Sequence, residues 1–168
     1  MDEKHYNWNV SYSTKLPISS SELWSIISSP KNLENFHPFC NKNKIFKWPG
    51  LGSLDEIHYY NGHIYKRNFV KWINNVGYDL FIKQEKYNQS FVKWRIKQSG
   101  NYSILTISIF PYIFNTNSKW LNFFPFFFFV KPNLNNYLKN ISKGLIYYIK
   151  ENKKVTKNQF GNHSWFSN

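Results

Sequence analysis

Residues 133–152, NLNNYLKNISKGLIYYIKEN, are the stretch that decides the fold. Their apolar side chains recur at spacings of four, three, four and three residues: Leu134, Leu138, Ile141, Leu145 and Tyr148. This spacing places them on one face of an α-helix. The stretch therefore predicts a long helix from Asn133 to about Asn152. Gly144 is a weak helix former, so we expect it to allow close approach to a strand or to leave room beside a ligand.

Seven segments before this helix predict β-strands. The clearest is Phe91–Gln98, where Val92, Trp94 and Ile96 alternate with basic residues, the period of a half-buried strand. Turn signals such as Gly62 separate the segments. The other predicted strands are His5–Leu16, Lys44–Trp48, Asp55–Asn61, His63–Asn74, Gly77–Lys86 and Tyr102–Phe114.

Two short helices are predicted between the first and second strands. Ser19 and Glu22 have the spacing of a capping box, which opens a helix that Pro30 ends. Leu33 and Phe36 indicate a second short helix. The sequence thus runs strand, two short helices, about six strands and one long helix.

The composition predicts one folded domain. The chain has 168 residues and 20.3 kDa, and aromatic residues make up 21% of it, which excludes a wholly disordered protein. Cys40 is the one cysteine, so an intramolecular disulfide is excluded. The polar start predicts no signal peptide, and no apolar run reaches the ~20 residues of a membrane span. We expect a cytoplasmic domain over residues 1–153 and a tail over 154–168.

The charge is strongly basic. Twenty-two Lys and Arg against nine Asp and Glu give a net charge of +13, which favours acidic partners. The lysines are scattered, however, and the chain is rich in Lys, Asn, Ile, Phe and Tyr, which favours compositional drift. Nucleic acid is therefore not an expected partner, whereas an anionic membrane surface stays open.

The order of elements resembles the START-like helix-grip superfamily (SRPBCC), which includes pollen allergens, START domains and polyketide cyclases. The resemblance rests on LPIS at 16–19, ISSP at 27–30, WPGLGS at 48–53, and NYL at 136–138 through Gly144 and Leu145. It implies an α+β helix-grip fold, in which a curved antiparallel sheet of about seven strands wraps around the C-terminal helix. It also implies an apolar cavity that binds, transports or sequesters a lipid, sterol or aromatic compound.

The inward positions of the predicted strands and helix, together with this resemblance, give a ligand-binding set. A filled core is the alternative interpretation of the same aromatic residues. The set is Phe36, His37, Tyr59, Tyr65, Arg67, Phe69, Tyr78, Leu80, Trp94, Ile96, Leu105, Ile107, Tyr137, Ile141 and Leu145.

Arg67 is the charged member of this set. If it shares the inward face of Tyr65 and Phe69, its charge needs a partner. Glu56, Asp79 or an acidic head group of a ligand would provide that partner. In the opposite register, Arg67 would lie in solvent.

The sequence assigns no catalytic residue, cofactor or metal site. The five histidines lack ligand spacing, and Asp55 and Glu56 are neighbours on a strand and face opposite ways. A cyclase or hydrolase on the same scaffold is the alternative function. Its acid and base groups would come from His37, His58, Tyr59 and Arg67.

Residues 115–132 are predicted to be irregular, since Pro125 interrupts the aromatic run WLNFFPFFFFV at 120–130. Three roles are open for this run: a packed extension of a strand, a lid or gate at the cavity, or a wedge that enters the membrane interface between Lys119 and Lys131. The residues assigned to it are Trp120, Phe123, Phe124, Phe126, Phe127, Phe128 and Phe129.

Overall fold

A computed structural model describes residues 5–167 of the chain. One antiparallel sheet of seven strands has the order β1-β7-β6-β5-β4-β3-β2, so β1 and β2 are its edges. The predicted helix-grip arrangement is confirmed. The strands are β1 Val10–Leu16, β2 Cys40–Lys47, β3 Leu54–Tyr59, β4 Ile64–Ile73, β5 Gly77–Lys83, β6 Ser90–Ser99 and β7 Tyr102–Phe110.

Two short helices, α1 Ser20–Ile27 and α2 Leu33–Phe36, join β1 to β2. The predicted capping box is present: the Ser19 hydroxyl accepts the Glu22 backbone N–H, and the Glu22 carboxylate accepts the Ser19 backbone N–H at 2.8 Å. Both helices turn apolar side chains inward, and Leu23, Ile27, Leu33 and Phe36 are buried. They therefore cover one part of the sheet's apolar face.

The strands show the alternation that the sequence predicts. In β6, Val92, Trp94 and Ile96 are buried, while Lys97 is exposed. Antiparallel pairing aligns these inward residues across the sheet: Trp94 lies opposite Tyr78 and Ile107, and Ile96 lies opposite Leu105. The result is one continuous apolar face.

The aromatic run is helical, so the prediction of an irregular segment over 115–132 holds for residues 115–118 and is wrong from Lys119 onward. Helix α3 (Lys119–Pro125) continues through a π-helical segment (Phe126–Val130) into α4 (Lys131–Glu151). Pro125 is the last residue of α3, and the wider π-helical turn follows it directly, so the chain stays helical past the proline. Phe126 and Val130 are fully buried and extend the inward stripe of α4.

Helix α4 lies across the apolar face of the sheet, with Leu138, Ile141 and Leu145 buried against it. The Thr14 hydroxyl of β1 donates to the Ser142 hydroxyl at 2.7 Å. Gly144 allows close approach, but to a helix and not to a strand. A Cβ there would lie 2.0 Å from the carbonyl oxygen of Phe36 in α2.

The C-terminal tail has no helix or strand between residues 155 and 167, yet it packs on the domain. The Val155 N–H donates to the Asn35 carbonyl at 2.9 Å, and the Asn158 N–H donates to the Pro38 carbonyl at 3.0 Å. At its end Phe166 is buried, stacked on Tyr59 with ring centroids 4.6 Å apart. The tail therefore reaches the sheet's apolar face.

Candidate functional site

A cavity of about 650 Å³ lies between the sheet and α4. Strands β3 to β7 supply one wall, and Leu134, Tyr137, Leu138 and Ile141 of α4 supply the opposite one. The lining is mainly apolar, as in most small-molecule sites. The members of the predicted set that line it are His37, Tyr59, Tyr65, Arg67, Leu80, Trp94, Ile107, Tyr137 and Ile141.

The rest of the predicted set does not line the cavity and belongs to a packed core. A boundary crosses the apolar face: on β6 it passes between Trp94 and Ile96, and on β7 between Ile107 and Leu105. We call the cavity side the hollow half and the other side the filled half. The predicted ligand-binding residues that lie buried in the filled half are Phe36, Phe69, Tyr78, Ile96, Leu105 and Leu145.

Three tryptophans explain the filled half. Trp24 of α1 and Trp48 of the β2–β3 connection both meet Trp72 of β4, with ring centroids 5.3 and 5.2 Å apart. Trp48 also contacts Phe69 at 5.1 Å, and Trp72 stacks on Tyr78 at 5.5 Å. These rings occupy the space that the cavity occupies in the hollow half.

Arg67 faces inward and is neutralised within the protein. It is buried, and its partner is Asp55, at 2.7 Å from Nε to Oδ1 and 2.5 Å from Nη2 to Oδ2. The two residues are directly opposite across β3 and β4. Burial opposes the charge of Arg67, but Asp55 outweighs that effect and raises the arginine pKa.

The prediction that Glu56 or Asp79 neutralises Arg67 is therefore wrong. Asp79 pairs with Arg95 at 2.5 Å, and Glu56 lies 3.2 Å from His58. Because Asp55 is adjacent to Glu56 on β3, the two carboxylates face opposite sides of the strand, and Asp55 is the inward one.

A second polar group in the lining consists of His37, Tyr59 and Tyr137. His37 Nε2 is 2.9 Å from the Tyr137 hydroxyl, which is 2.7 Å from the Tyr59 hydroxyl. Burial, then the nearby Arg67 charge, lowers the pKa of His37 to about 3. Burial raises the pKa of both tyrosines. All three groups are therefore neutral near pH 7.

Cys40 and His58 add no catalytic group to the cavity. Burial raises the pKa of Cys40 to about 12, so its thiol is not a nucleophile at neutral pH. His58 does not line the cavity. Within residues 5–167, no three His, Cys, Asp or Glu side chains are grouped to hold a metal ion.

Part of the cavity lining was not predicted from the sequence. The tail contributes Ser164, Trp165 and Phe166, and the Asn61 side chain donates to the Trp165 carbonyl at 2.8 Å. The aromatic residues near the end of the polar tail were the available signal for this docking. The other lining residues not predicted are Leu33, Ile57, Asn61, His63, Ile82, Gln84, Tyr87, Ser90, Val92, Ile109, Pro111, Tyr112, Ile113, Leu134 and Leu138.

The residues assigned to a gate or membrane wedge lie outside the cavity lining. Phe123, Phe126 and Phe127 pack on Trp8, with ring centroids 6.4, 5.0 and 5.8 Å away. The opposite side of this helical segment faces solvent: Trp120 is 90% exposed, and Phe124, Phe128 and Phe129 are about two-thirds exposed. Among residues 5–167, none of the helices combines the length and the hydrophobicity of a membrane-spanning segment.

Comparison with known proteins identifies structural neighbours only. No family model matches the chain, and no curated protein matches its sequence. DynU16, a protein of the dynemicin biosynthetic locus, is similar with a TM-score of 0.67 and 11% identity over 90% of this chain. This chain spans 52% of DynU16.

Two further structures match over nearly their whole length. A START superfamily protein from Mycobacterium smegmatis has a TM-score of 0.65 and 13% identity, covering 86% of this chain and 99% of its own. Ara h 8.0201 has a TM-score of 0.61 and 11% identity, covering 86% and 98%. At these identities the likeness concerns the fold.

Proposed function

We propose that this chain, which has the START-like helix-grip fold, binds a small hydrophobic or amphipathic ligand in the cavity beneath α4. The observation that carries the proposal is the unfilled hollow half itself. Interiors are normally packed to the density of organic crystals, yet about 650 Å³ stays open here among apolar walls. A lipid, sterol or aromatic compound matches that volume and chemistry.

Binding is favoured over catalysis by the state of the polar groups. A histidine with a pKa near 3 is a weak general base at neutral pH. Arg67 is already held by Asp55 through two hydrogen bonds. These groups are arranged to hydrogen-bond a ligand and not to move its protons.

The test is titration with Nile red, an uncharged dye that fluoresces in apolar sites. We expect about one equivalent to bind and to be displaced by methyl oleate or cholesterol, which are uncharged. Ile107→Phe, which adds a ring to the cavity, should weaken dye binding. The matched control is Ile64→Phe, at an exposed position outside the lining. Equal dye binding by both variants would contradict the cavity as the site.

A second candidate function, docking on an anionic membrane surface, is supported by an exposed apolar face. Its residues, Trp120, Leu121, Phe124, Phe128 and Phe129, are the aromatic face. Exposed apolar patches of this kind mark interaction sites.

The charge around the aromatic face favours anionic lipid as the occupant. Lys119 and Lys131 stand exposed at the two ends of the segment. No Asp or Glu occurs in the sequence from Lys86 to Lys150. Aromatic rings enter the acyl boundary while lysines meet anionic head groups. Such lipids are enriched in the cytoplasmic leaflet, so this candidate places the protein in the cytoplasm, attached peripherally.

Co-sedimentation with vesicles tests this second function. We expect binding to phosphatidylcholine vesicles that contain phosphatidylserine, and little binding to phosphatidylcholine alone. Phe128→Ser plus Phe129→Ser should abolish it, whereas Phe46→Ser, at an exposed ring on β2, should not. Sedimentation equilibrium without lipid completes the test. Self-association through the aromatic face without vesicle binding would identify a second copy as the occupant and refute membrane docking.

A further inference from the structure

The polar cluster of the cavity brings together three elements of the fold. His37 follows α2, Tyr59 ends β3, and Tyr137 lies in α4. All three side chains are more than nine-tenths buried and line the cavity. Their polar atoms form a chain from His37 Nε2 to the Tyr137 hydroxyl at 2.9 Å and on to the Tyr59 hydroxyl at 2.7 Å.

The backbone fixes where the imidazole proton lies. The Phe39 N–H donates to His37 Nδ1 at 3.2 Å, so Nδ1 is the acceptor nitrogen. In the neutral ring the hydrogen is then on Nε2, which donates to the Tyr137 hydroxyl. Burial lowers the pKa of His37 to about 3, so this neutral form is the one present at physiological pH.

Counting hydrogens shows that one donor is left over. The cluster has three polar hydrogens, one on His37 Nε2 and one on each phenol, but only two hydrogen bonds join its members. One bond uses the imidazole hydrogen, and the other uses one phenol hydrogen. The second phenol hydrogen has no acceptor among residues 5–167. A buried donor without an acceptor is unfavourable.

The charge beside this donor is already compensated. Asp55 holds Arg67 at Nε and Nη2, and the Asn43 side chain also donates to Asp55 at 3.1 Å. A ligand carboxylate would therefore bring an excess negative charge into a buried site, which is costly. An uncharged oxygen would accept the spare hydrogen without that cost.

We infer that the ligand carries an uncharged hydrogen-bond acceptor, such as a ketone, ester or hydroxyl oxygen, that receives the spare phenol hydrogen of Tyr59 or Tyr137. This inference rests on the proposed cavity-binding function. The site accordingly discriminates against the free carboxylate of the same skeleton.

Three naphthalenes of similar size test the inference: methyl naphthyl ketone, ethylnaphthalene and naphthoate. We expect the ketone to bind about tenfold more tightly than either of the others, because one hydrogen bond contributes roughly that much to the affinity. In the complex, its carbonyl stretch should move to lower frequency in the infrared spectrum, as hydrogen bonding weakens the bond.

The variants locate the donor. Tyr59→Phe plus Tyr137→Phe removes both phenols and should erase most of the ketone's advantage and of its infrared shift. Tyr102→Phe, at an exposed tyrosine outside the cavity lining, is the control and should keep both. The wild-type ligand series and spectrum decide the question even if the double variant does not fold.

The alternative outcomes separate the two proposals. Tighter binding of naphthoate would overturn the inference and identify Arg67 as an anion site. Equal binding of all three compounds, or failure of the ketone to bind while the dye binds, would overturn the inference and leave cavity binding intact. If neither dye nor any naphthalene binds, the proposed function itself fails.

Discussion

The filled half and the hollow half of the apolar face differ in the large rings that occupy the space above the sheet. On β5, Tyr78 in the filled half and Leu80 in the hollow half are both fully buried. Over the filled half, Trp24, Trp48 and Trp72 interlock at 5.2 to 5.3 Å between ring centroids. Over the hollow half, the tail brings only its last aromatic residues.

This difference shows that the cavity exists because no large side chain fills the space over the hollow half. The three tryptophans fill the space over one half of the sheet's apolar face. Where no large ring is supplied, the space between the sheet and α4 stays open for a ligand. Substitutions of equal size in the two halves should therefore have unequal effects on stability.

The largest contrast is expected for two leucine truncations. Leu105→Ala in the filled half should reduce the free energy of unfolding by about 3–4 kcal/mol, because it leaves a new void in a packed core. Leu80→Ala only enlarges an existing cavity, so about 2 kcal/mol is expected. Urea denaturation measures both, and equal losses would mean that Leu80 is packed as tightly as Leu105.

The sequence predicts which strand residues face inward, but not which of them line the cavity. Alternation in Phe91–Gln98 correctly placed Trp94 and Ile96 on the inward face. Alternation has a period of two residues and carries no information about position along the strand. The sequence therefore could not separate Trp94, which lines the cavity, from Ile96, which does not.

Two other features of the structure, the Asp55–Arg67 pair and the helical aromatic run, are indicated by the sequence. Residues 60–62 form the turn between β3 and β4, and counting outward from its centre at Asn61 pairs Asp55 with Arg67. The spacing of Phe126 and Val130 continues the stripe of α4 at intervals of four residues. That spacing is the sequence signal for a helix through the aromatic run, and Pro125 is the residue that argues against it.

A substitution at the boundary should have the next largest effect. Gly144 sits where α4 crosses α2, which holds Phe36 in the filled half and leads to His37 in the hollow half. Gly144→Ala would place a Cβ 2.0 Å from the Phe36 carbonyl oxygen, so the helices must separate. We expect a loss of about 2 kcal/mol, despite the gain of about 1 kcal/mol in helix propensity. Thermal unfolding measures this loss. The control is Lys143→Ala, at the neighbouring exposed position, which should stay within about 0.5 kcal/mol of wild type. A Gly144→Ala protein as stable as wild type would argue against the close contact.

Acid should destabilise the protein through the hollow half. The pKa of His37 is about 3 in the folded protein, against an ordinary value of 6.5. Between these values the unfolded chain binds a proton that the folded protein excludes. Stability therefore falls as the pH drops below about 6.5, by at most about 1.4 kcal/mol per pH unit from this group. His37→Gln should flatten that dependence in urea titrations between pH 7 and 5; an unchanged slope would show that His37 is not held neutral.

The smallest effect on stability is expected where a ring is added to the hollow half. Ile107→Phe directs extra apolar volume into about 650 Å³ of open space, so the free energy of unfolding should stay within about 1 kcal/mol of wild type. Ile96→Phe, on the neighbouring strand in the filled half, should lose about 1–3 kcal/mol, because the packed rings must move. Ile107 and Ile96 are both buried inward residues of one sheet face, so burial alone predicts equal losses. Urea denaturation of the two variants decides between these expectations, and an equal loss would mean that the hollow half is closed in solution and that the two halves are packed alike.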